Sequence, residues 1–347
     1  MVDIFSITPN VVSTDIGTYS FLIYGGPKVG KTTLATRFDK HLLLAFEKGY
    51  SALPGVMAQP INSWAEFIKI LTQLKLEANR VEAARKKARM ENKESEEALM
   101  FKTIIIDIAD IAYEYCENYI LSRENVSSIK DIPFGAGYTM VKKEYDTRLR
   151  SISQMGYGLV LISHAAFKKE DPDDDDSINK AMPTLAKSPR LICERLVDVL
   201  GYMTVENTDE GPMHVLNLRG TEEFVAGARF KYIADKIPAT EAALEKAIQD
   251  AVQKEAEEAG VEPTSAILNN YILSDGPTFE GIRESINEKI TEIMSAVKDS
   301  EEKTSEKAKT ITHIIDSILG VGRKLADTNP DQVDLLVQID DALEGVI

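Results

Sequence analysis

Short apolar runs alternate with longer amphipathic stretches between about residue 18 and residue 235. Uninterrupted runs of Leu, Ile and Val are typical of strands that are covered on both faces. Such runs predict the strands Ser20–Tyr24, Leu42–Phe46, Thr103–Ile106 and Leu159–Ser163. The stretches between them predict the helices Thr32–Asp39, Trp64–Leu76, Ile108–Leu121 and Val141–Gln154. This alternation predicts an α/β fold, in which a mostly parallel sheet is flanked by crossover helices.

The pattern changes towards the C-terminus. Further apolar runs predict the strands Val197–Val205, His214–Leu218 and Glu223–Ala226. Their short links predict an antiparallel edge of the sheet. Beyond them, apolar residues such as Leu244, Ile248 and Val252 recur at helical spacing. We therefore predict an α/β domain over residues 1–235 and an all-α appendage over residues 236–347.

Charge is distributed unevenly along the chain. The net charge is −16, and residues 236–347 carry 11 basic and 23 acidic side chains. An acidic C-terminal third repels nucleic-acid phosphates, so any contact with nucleic acid is expected on the first part. Two charged insertions interrupt the α/β pattern. Residues 77–98 predict a charged helical extension, and residues 168–178 (KKEDPDDDDSI) predict an acidic loop.

The composition favours a cytoplasmic protein. The two cysteines, Cys116 and Cys193, each lie in an apolar stretch and are predicted to be buried thiols. The N-terminus has no basic segment followed by an apolar run, so we expect no export signal. No apolar run has the length of a membrane span, so we expect no membrane partner.

The segment GGPKVGKTT provides the strongest chemical signal. Gly25 and Gly30, followed by Lys31 and Thr32, match the phosphate-binding loop at every fixed position, between a predicted strand and a predicted helix. Glycines let successive backbone N–H groups converge on phosphate oxygens. Lys31 is expected to reach the β- and γ-phosphates of ATP, and the Thr32 hydroxyl to bind Mg²⁺. The residues predicted to bind the nucleotide are Gly25, Gly26, Pro27, Lys28, Val29, Gly30, Lys31, Thr32 and Thr33.

Two acidic residues follow predicted strands. Asp107 ends the run TIIID and is predicted to hold Mg²⁺ at the carboxyl edge of the sheet; the alternative is a helix cap. Hydrolysis also needs a carboxylate that activates water. Ile108 follows Asp107 and cannot do this, and Asp110 is expected to cap a helix or to face solvent. Glu47, after the second strand, is the predicted base; the alternative is a surface glutamate before a turn.

The order of these motifs resembles a known family. GGPKVGKTT, LLLAFEKG, TIIIDIAD, GYGLVLISH and NLRGTEEFVAGARF occur in the order found in phage-encoded RecA-like P-loop ATPases, an AAA-domain group that includes ATP-dependent single-strand annealing proteins. The resemblance covers about residues 18–235 and does not extend to the rest of the chain. It implies a Mg²⁺-dependent ATPase that forms a ring or filament and works on DNA in the bacterial host cytoplasm.

The resemblance also implies roles for single residues. His164 matches the polar sensor that contacts the γ-phosphate and relays its loss to a DNA-binding loop; otherwise it is a hydrogen-bonded surface residue. Arg229 or Arg219 matches a finger that reaches a neighbouring subunit's nucleotide, unless each forms an ordinary ion pair. The chain departs from the family at the DNA-binding loop, because KKEDPDDDDS stands there and consecutive aspartates do not bind phosphate directly. The alternatives for this loop are a mimic of nucleic acid, a cation site and a solvated loop.

We therefore predict an ATP-hydrolysing protein of phage DNA recombination or replication, acting in annealing or strand handling. Single-stranded DNA is an expected partner. One alternative is an ATP-switched scaffold whose acidic helical region binds protein partners. Others are a helicase-loader motor, which the missing glutamate at position 108 disfavours, and a kinase, which the acidic loop disfavours because a kinase lid is basic.

Overall fold

The computed structural model describes residues 10–91, 93, 95, 97–169, 179–209, 211–265, 279–297, 301–329, 332–344 and 346. They form two compact units, residues 1–272 and residues 273–347. Within the described residues, no helix combines the length and the apolar character that crossing a bilayer requires. The acidic stretch 170–178, which contains most of the predicted loop, lies outside the described residues.

The first unit is built on one large sheet. Its strands are β1 (Ser20–Gly25), β2 (His41–Ala45), β3 (Ala58–Pro60), β4 (Thr103–Asp107), β5 (Gly158–Lys169), β6 (Asn179–Pro183), β7 (Val199–Thr208), β8 (Gly211–Asn217), β9 (Gly227–Ala228) and β10 (Lys236–Pro238). The main order is β10-β8-β7-β1-β5-β4-β2-β3. The strands from β7 to β3 along this path are parallel, β8 is antiparallel to β7, and β10 is antiparallel to β8. The predicted mostly parallel sheet is confirmed.

The helices of the first unit surround this sheet. They are α1 (Lys31–Ala35), α2 (Trp64–Met90), α3 (Ala109–Glu124), α4 (Ala136–Gln154), α5 (Lys187–Leu196) and α6 (Glu241–Ala259). Strands β1 and β4 are buried along their whole length, because helices cover both faces of the sheet. The charged extension predicted at residues 77–98 is in part a continuation of α2, which runs without a break to Met90.

Several elements differ from the prediction. Helix α1 ends at Ala35 instead of Asp39, because the amides of Arg37 and Phe38 bond to carbonyls only three residues back. The predicted strand Glu223–Ala226 is displaced to β9, which pairs with β7. The later strands are not all antiparallel, since β7 itself runs parallel to β1 and continues the central sheet.

The sequence analysis assigned the segment after residue 235 to the appendage, whereas α6 belongs to the first unit. Its apolar face enters the core that the central strands form, through Leu244, Ile248, Ala251 and Val252. The division between the units therefore falls later than predicted, because burial of this face decides membership and helical periodicity alone does not.

The second unit is helical, as predicted for the end of the chain. It contains α7 (Phe279–Ala296), α8 (Glu301–Leu319) and α9 (Val333–Glu344). Isoleucines and leucines from all three helices form its core, including Ile286, Ile311 and Leu336. Lys289 and Asp340 form an ion pair of 3.0 Å between α7 and α9, with both side chains mostly buried. This unit has its own core.

Candidate nucleotide-binding site

The predicted phosphate-binding loop connects β1 to α1. Its backbone is left-handed at Lys28 (φ 61°) and at Gly30 (φ 99°), which turns successive N–H groups towards one side. A Cβ at Gly25 would lie 2.4 Å from the carbonyl oxygen of Met203 on β7, so only glycine fits there. The loop therefore has the curled backbone that cradles an anion.

Lys31 lies almost fully buried beneath this loop. Its Nζ donates hydrogen bonds to the carbonyl oxygens of Gly25 (3.0 Å) and Gly26 (2.8 Å). Burial lowers the pKa of the ammonium, and the carboxylates of Asp107, Glu47 and Asp110 oppose this shift. A phosphate oxygen offers Lys31 a full negative charge in place of neutral carbonyls, so nucleotide binding favours the charged ammonium.

Thr32 and Asp107 meet at the carboxyl edge of the sheet. Oγ1 of Thr32 donates to Oδ2 of Asp107 over 2.8 Å. The Asp107 side chain is buried, and its Oδ1 has no hydrogen-bond partner among the described residues. Burial, opposed by the Thr32 hydrogen bond, raises the pKa of Asp107 to about 6. A buried carboxylate oxygen without a partner is costly unless a cation or a donor satisfies it.

These groups fit a Mg²⁺ ion. A hydroxyl and a carboxylate are hard oxygen ligands, which Mg²⁺ prefers together with water and phosphate oxygens. Among the described residues no cluster of three or more His, Cys, Asp or Glu side chains is able to hold a metal. Mg²⁺ at nucleotide sites takes most of its ligands from phosphate and water. Thr32 and Asp107 are the residues that would hold it.

Gly49 is a residue of this site that the sequence analysis missed. A Cβ at Gly49 would lie 3.4 Å from Oδ2 of Asp107, 3.7 Å from Oε1 of Glu47 and 3.8 Å from Oγ1 of Thr32. The absent side chain leaves the space beside these three oxygens open. The only signal in the sequence is the turn that follows Glu47, and it does not reveal proximity to Asp107.

We expect Gly49→Ala to raise the Mg²⁺ concentration that half-maximal ATP hydrolysis requires, by about three- to tenfold, because the new methyl group competes with ion-bound water. Titration of hydrolysis with Mg²⁺ measures this. Gly55→Ala is the control: Gly55 lies in the following loop with open space around its Cβ position, although its positive φ adds local strain. An unchanged Mg²⁺ requirement in Gly49→Ala would contradict the assignment.

Glu47 and His164 complete the site. Because β2 and β4 are parallel neighbours with Ala45 opposite Asp107, the residues after Ala45 lie beside Asp107. The amide of Glu47 donates to the Asp107 carbonyl oxygen (3.2 Å). Nδ1 of His164 lies 3.4 Å from Nζ of Lys31, and its Nε2 lies 4.0 Å from Oε1 of Glu47. His164 thus lies between the phosphate lysine and the predicted base.

Family comparison agrees with this geometry. A family model described as an AAA domain (AAA_24) matches residues 18–230, more than half of the chain. The chain belongs to this AAA-domain family. It is also 29% identical over 357 residues to the SPbeta prophage-derived uncharacterized protein YorG of Bacillus subtilis (strain 168), an alignment that covers 100% of this chain and 99% of YorG. These matches confirm the predicted resemblance to phage-encoded RecA-like P-loop ATPases.

A solved structure shows a partial likeness to the AAA-domain chain. The KaiC-like protein PH0186 of Pyrococcus horikoshii OT3 is similar over 66% of this chain and 94% of its own length, with 12% sequence identity and a TM-score of 0.31. The α/β P-loop fold of the AAA domain is established by its own sheet order and by the family match.

In the AAA domain, Asp110 has partners that the sequence analysis did not predict. It is half-buried and lies in the first turn of α3, whose N-cap is Ile108. Its carboxylate accepts hydrogen bonds from Oγ of Ser163 (2.7 Å) and from Oγ1 of Thr184 (2.6 Å). The amide of Thr184 donates to the carbonyl oxygen of His164 (2.9 Å). Asp110 therefore ties the predicted sensor position to the end of strand β6.

Two arginines, Arg229 and Arg219, were predicted to reach the nucleotide of a neighbouring subunit. Both form hydrogen bonds within their own chain. Arg229 donates to Oδ1 of Asp198 (3.0 Å) and to the carbonyl oxygen of Arg195 (2.8 Å). Arg219 donates to the carbonyl oxygens of Phe230 and Lys231, each over 2.9 Å. Either arginine would have to exchange these contacts to reach a neighbouring nucleotide, so the finger role stays a prediction.

Proposed function

We propose that this AAA-domain protein hydrolyses ATP with Mg²⁺ and couples turnover to the handling of single-stranded DNA in phage recombination or replication. One observation supports hydrolysis above all: Lys31, the Thr32–Asp107 pair and Glu47 converge at one edge of the sheet. Binding alone needs only the loop and its lysine. A carboxylate beside the metal position is the additional group that hydrolysis requires.

The reaction follows from these positions. The loop N–H groups and Lys31 hold the β- and γ-phosphates and offset the charge that develops on their oxygens. Thr32 and Asp107 would hold a Mg²⁺ ion, which would supply Lewis-acid polarisation of the phosphoryl oxygens. Glu47 accepts the proton of the attacking water, whose oxygen forms the new bond to the γ-phosphorus while the bond to the β–γ bridging oxygen breaks. ADP and phosphate leave.

Coupling to DNA is proposed to run through β5. This strand begins in the core and extends past His164 into the antiparallel pair with β6, so a change at His164 acts on one end of the β5–β6 hairpin. Asp110 and Thr184 hold that end. The prophage origin of the relative YorG supports a role in phage DNA metabolism. A homo-oligomer, in which a neighbour completes the site, belongs to the same proposal.

The DNA contact is proposed for the base of this hairpin and not for the acidic residues beyond it. Phe167 is 73% exposed on β5, opposite Ala181. Because strand side chains alternate between faces, Lys169 lies on the same face as Phe167, and Lys168 and its partner Lys180 lie on the other face. An exposed aromatic ring among basic residues is the combination that stacks bases of a single strand.

We expect Phe167→Ala to weaken single-stranded DNA binding by roughly tenfold, since stacking on one aromatic ring contributes about 1–3 kcal/mol per base. Fluorescence anisotropy of a labelled oligonucleotide measures this with ATP present. Phe134→Ala is the matched control, because Phe134 is a fully exposed phenylalanine outside the hairpin. Equal affinity in wild type and Phe167→Ala would remove the hairpin from the DNA interface.

The test of the proposed function is steady-state ATP hydrolysis with and without single-stranded DNA, at low and at physiological salt. We expect Mg²⁺-dependent hydrolysis that DNA stimulates and that Lys31→Ala eliminates. Hydrolysis that is indifferent to DNA, without DNA binding even at low salt, would overturn the DNA role. It would favour an ATP-switched protein that binds partners through the acidic second unit. No hydrolysis under any condition would overturn the ATPase itself.

A further inference from the structure

A groove of about 400 Å³ lies between helices α4 and α5 of the first unit. None of the described residues that line it belongs to the nucleotide site. Four cationic side chains line the groove, Lys142 and Arg150 on α4 and Lys187 and Arg195 on α5. In each helix the two cations are separated by about two turns, or about 12 Å along the axis, so the positive charge extends along the groove.

Most of this positive charge lacks a compensating carboxylate. Arg150 pairs with Asp146 on its own helix, with 2.8 Å between Nε and Oδ1. Lys142, Lys187 and Arg195 are exposed, and none of them forms an ion pair with another described residue. Asp146 is the one carboxylate among the described residues that line the groove, although the whole chain has a net charge of −16. The groove is therefore a basic surface on an acidic protein, and it favours an anionic ligand.

Apolar side chains lie deeper in the groove than the cations. Leu191 is partly buried and Ile192 is buried, whereas the lysines and arginines that line the groove are exposed. Both apolar residues belong to α5 and lie between Lys187 and Arg195 in the sequence. A ligand that covers Leu191 removes apolar surface from water. The lining thus suits a ligand that combines negative charge with an aliphatic group.

The same lining distinguishes between two kinds of polyanion. Binding sites for single-stranded nucleic acid combine cations with aromatic side chains, on which the bases stack. The described residues that line this groove include no aromatic side chain. An acidic peptide provides carboxylates for the lysines and arginines and aliphatic side chains for the apolar part. The lining therefore favours a peptide over a nucleic acid.

We propose that the groove between α4 and α5 binds an acidic segment of a partner protein. Carboxylates of that segment pair with Lys142, Lys187 and Arg195, and an aliphatic side chain of the segment covers Leu191. The proposal does not depend on ATP hydrolysis, because the groove shares no described residue with the nucleotide site. Helix α5 follows β6 after a short connection that begins at Pro183, so the partner is recruited beside the β5–β6 hairpin.

Fluorescence anisotropy of a labelled peptide tests the proposal with the full-length protein at low salt. The probe is a peptide of four aspartates followed by two leucines, and a second peptide has serines in place of the leucines. Wild type is compared with the groove variant Lys142→Glu/Lys187→Glu. The matched control is Lys69→Glu/Lys143→Glu, which makes the same change in charge at exposed lysines that do not line the groove. Circular dichroism verifies that both variants are folded, and the comparison of the two peptides on wild type needs no substitution.

We expect wild type to bind the leucine peptide with a Kd of about 10–100 μM, and about fivefold more tightly than the serine peptide. The groove variant is expected to lose at least about tenfold in affinity, because attractive charge pairs become repulsive, while the control stays within about twofold of wild type. Absence of binding by wild type, equal affinity of wild type for the two peptides, or equal affinities of the groove variant and the control would overturn the proposal.

Two measurements on the same variants detect other occupants of the groove. If the groove variant bound a labelled oligonucleotide at least about tenfold more weakly than the control, with peptide affinity unchanged, the groove would be a nucleic-acid site and the proposal would be wrong. A change of oligomeric state in the groove variant alone, measured by sedimentation, would make the groove a contact between copies of this chain and would also contradict the proposal.

Discussion

Asp107→Asn is expected to stabilise the nucleotide-free protein by about 2–3 kcal/mol at neutral pH while ATP hydrolysis falls by at least about a hundredfold. The two effects share one cause. Burial raises the pKa of Asp107 from 3.8 to about 6, so the ionised carboxylate, which is the form proposed to bind Mg²⁺, is unfavourable in the nucleotide-free protein. Asparagine carries no charge, and its Oδ1 still accepts the hydrogen bond from Thr32.

The pH dependence of the unfolding free energy tests whether the charge of Asp107 causes the difference in stability. A carboxyl with a raised pKa binds more protons in the folded than in the unfolded state, so its contribution to stability falls as pH rises from about 4 to about 6. The difference in unfolding free energy between Asp107→Asn and wild type should therefore grow over that interval and stay constant above it. Urea unfolding at a series of pH values measures this difference.

Asp39→Asn is the control for this series. The Lys102 ammonium lowers the pKa of the exposed Asp39, so loss of that charge is expected to bring no stabilisation at neutral pH. A lower free energy of unfolding for Asp107→Asn than for wild type at neutral pH would contradict the prediction that the ionised Asp107 carboxylate destabilises the folded protein.

Glu47→Gln is expected to lower the rate of ATP hydrolysis by about 10²- to 10⁴-fold and to leave ATP affinity within about threefold of wild type. Glutamine keeps the size and the polar tip of the side chain but does not accept a proton at neutral pH. ATP contacts depend mainly on the loop and Lys31, which this change does not touch. Single-turnover hydrolysis and equilibrium ATP binding separate the two effects.

Glu114→Gln is the matched control for Glu47, because Glu114 is exposed on α3 away from the site. It should hydrolyse ATP at the wild-type rate. A Glu47→Gln protein with an unchanged rate would exclude Glu47 as the base and would leave the water-activating group to be found elsewhere, for example on a neighbouring subunit.

The features of the site that depend on consecutive residues could be predicted from the sequence. The spacing of Gly25, Gly30, Lys31 and Thr32 dictates a curled loop, because the geometry depends on consecutive residues only. The strand ending in Asp107 could be predicted for the same reason, since an apolar run and its last residue are adjacent in the chain. Glu47 needed one further assumption, that its strand is a parallel neighbour of β4, and the register of Ala45 with Asp107 satisfies it.

Other features depend on residues that are far apart in the chain. Glycines before turns are common, and nothing in the sequence marks Gly49 as the one that borders Asp107 and Thr32. Asp110 has the spacing of a helix cap, yet the approach of β5 and the end of β6 gives it two hydroxyl partners. Helix α6 has the periodicity of an independent helix, yet its apolar face completes the core of the first unit.

The sequence by itself therefore determined the phosphate-binding loop, the α/β class and the place of Asp107 at the end of its strand, because each depends on short-range spacing and on apolar periodicity. Only the tertiary structure decided which unit α6 joins, which residues surround the Asp107 carboxylate and which partners Asp110 has. The contact between His214 and Val29 illustrates the reason, since it joins residues 185 positions apart. Such contacts arise when buried faces of distant segments pack together, and no local pattern in the chain encodes the pairing.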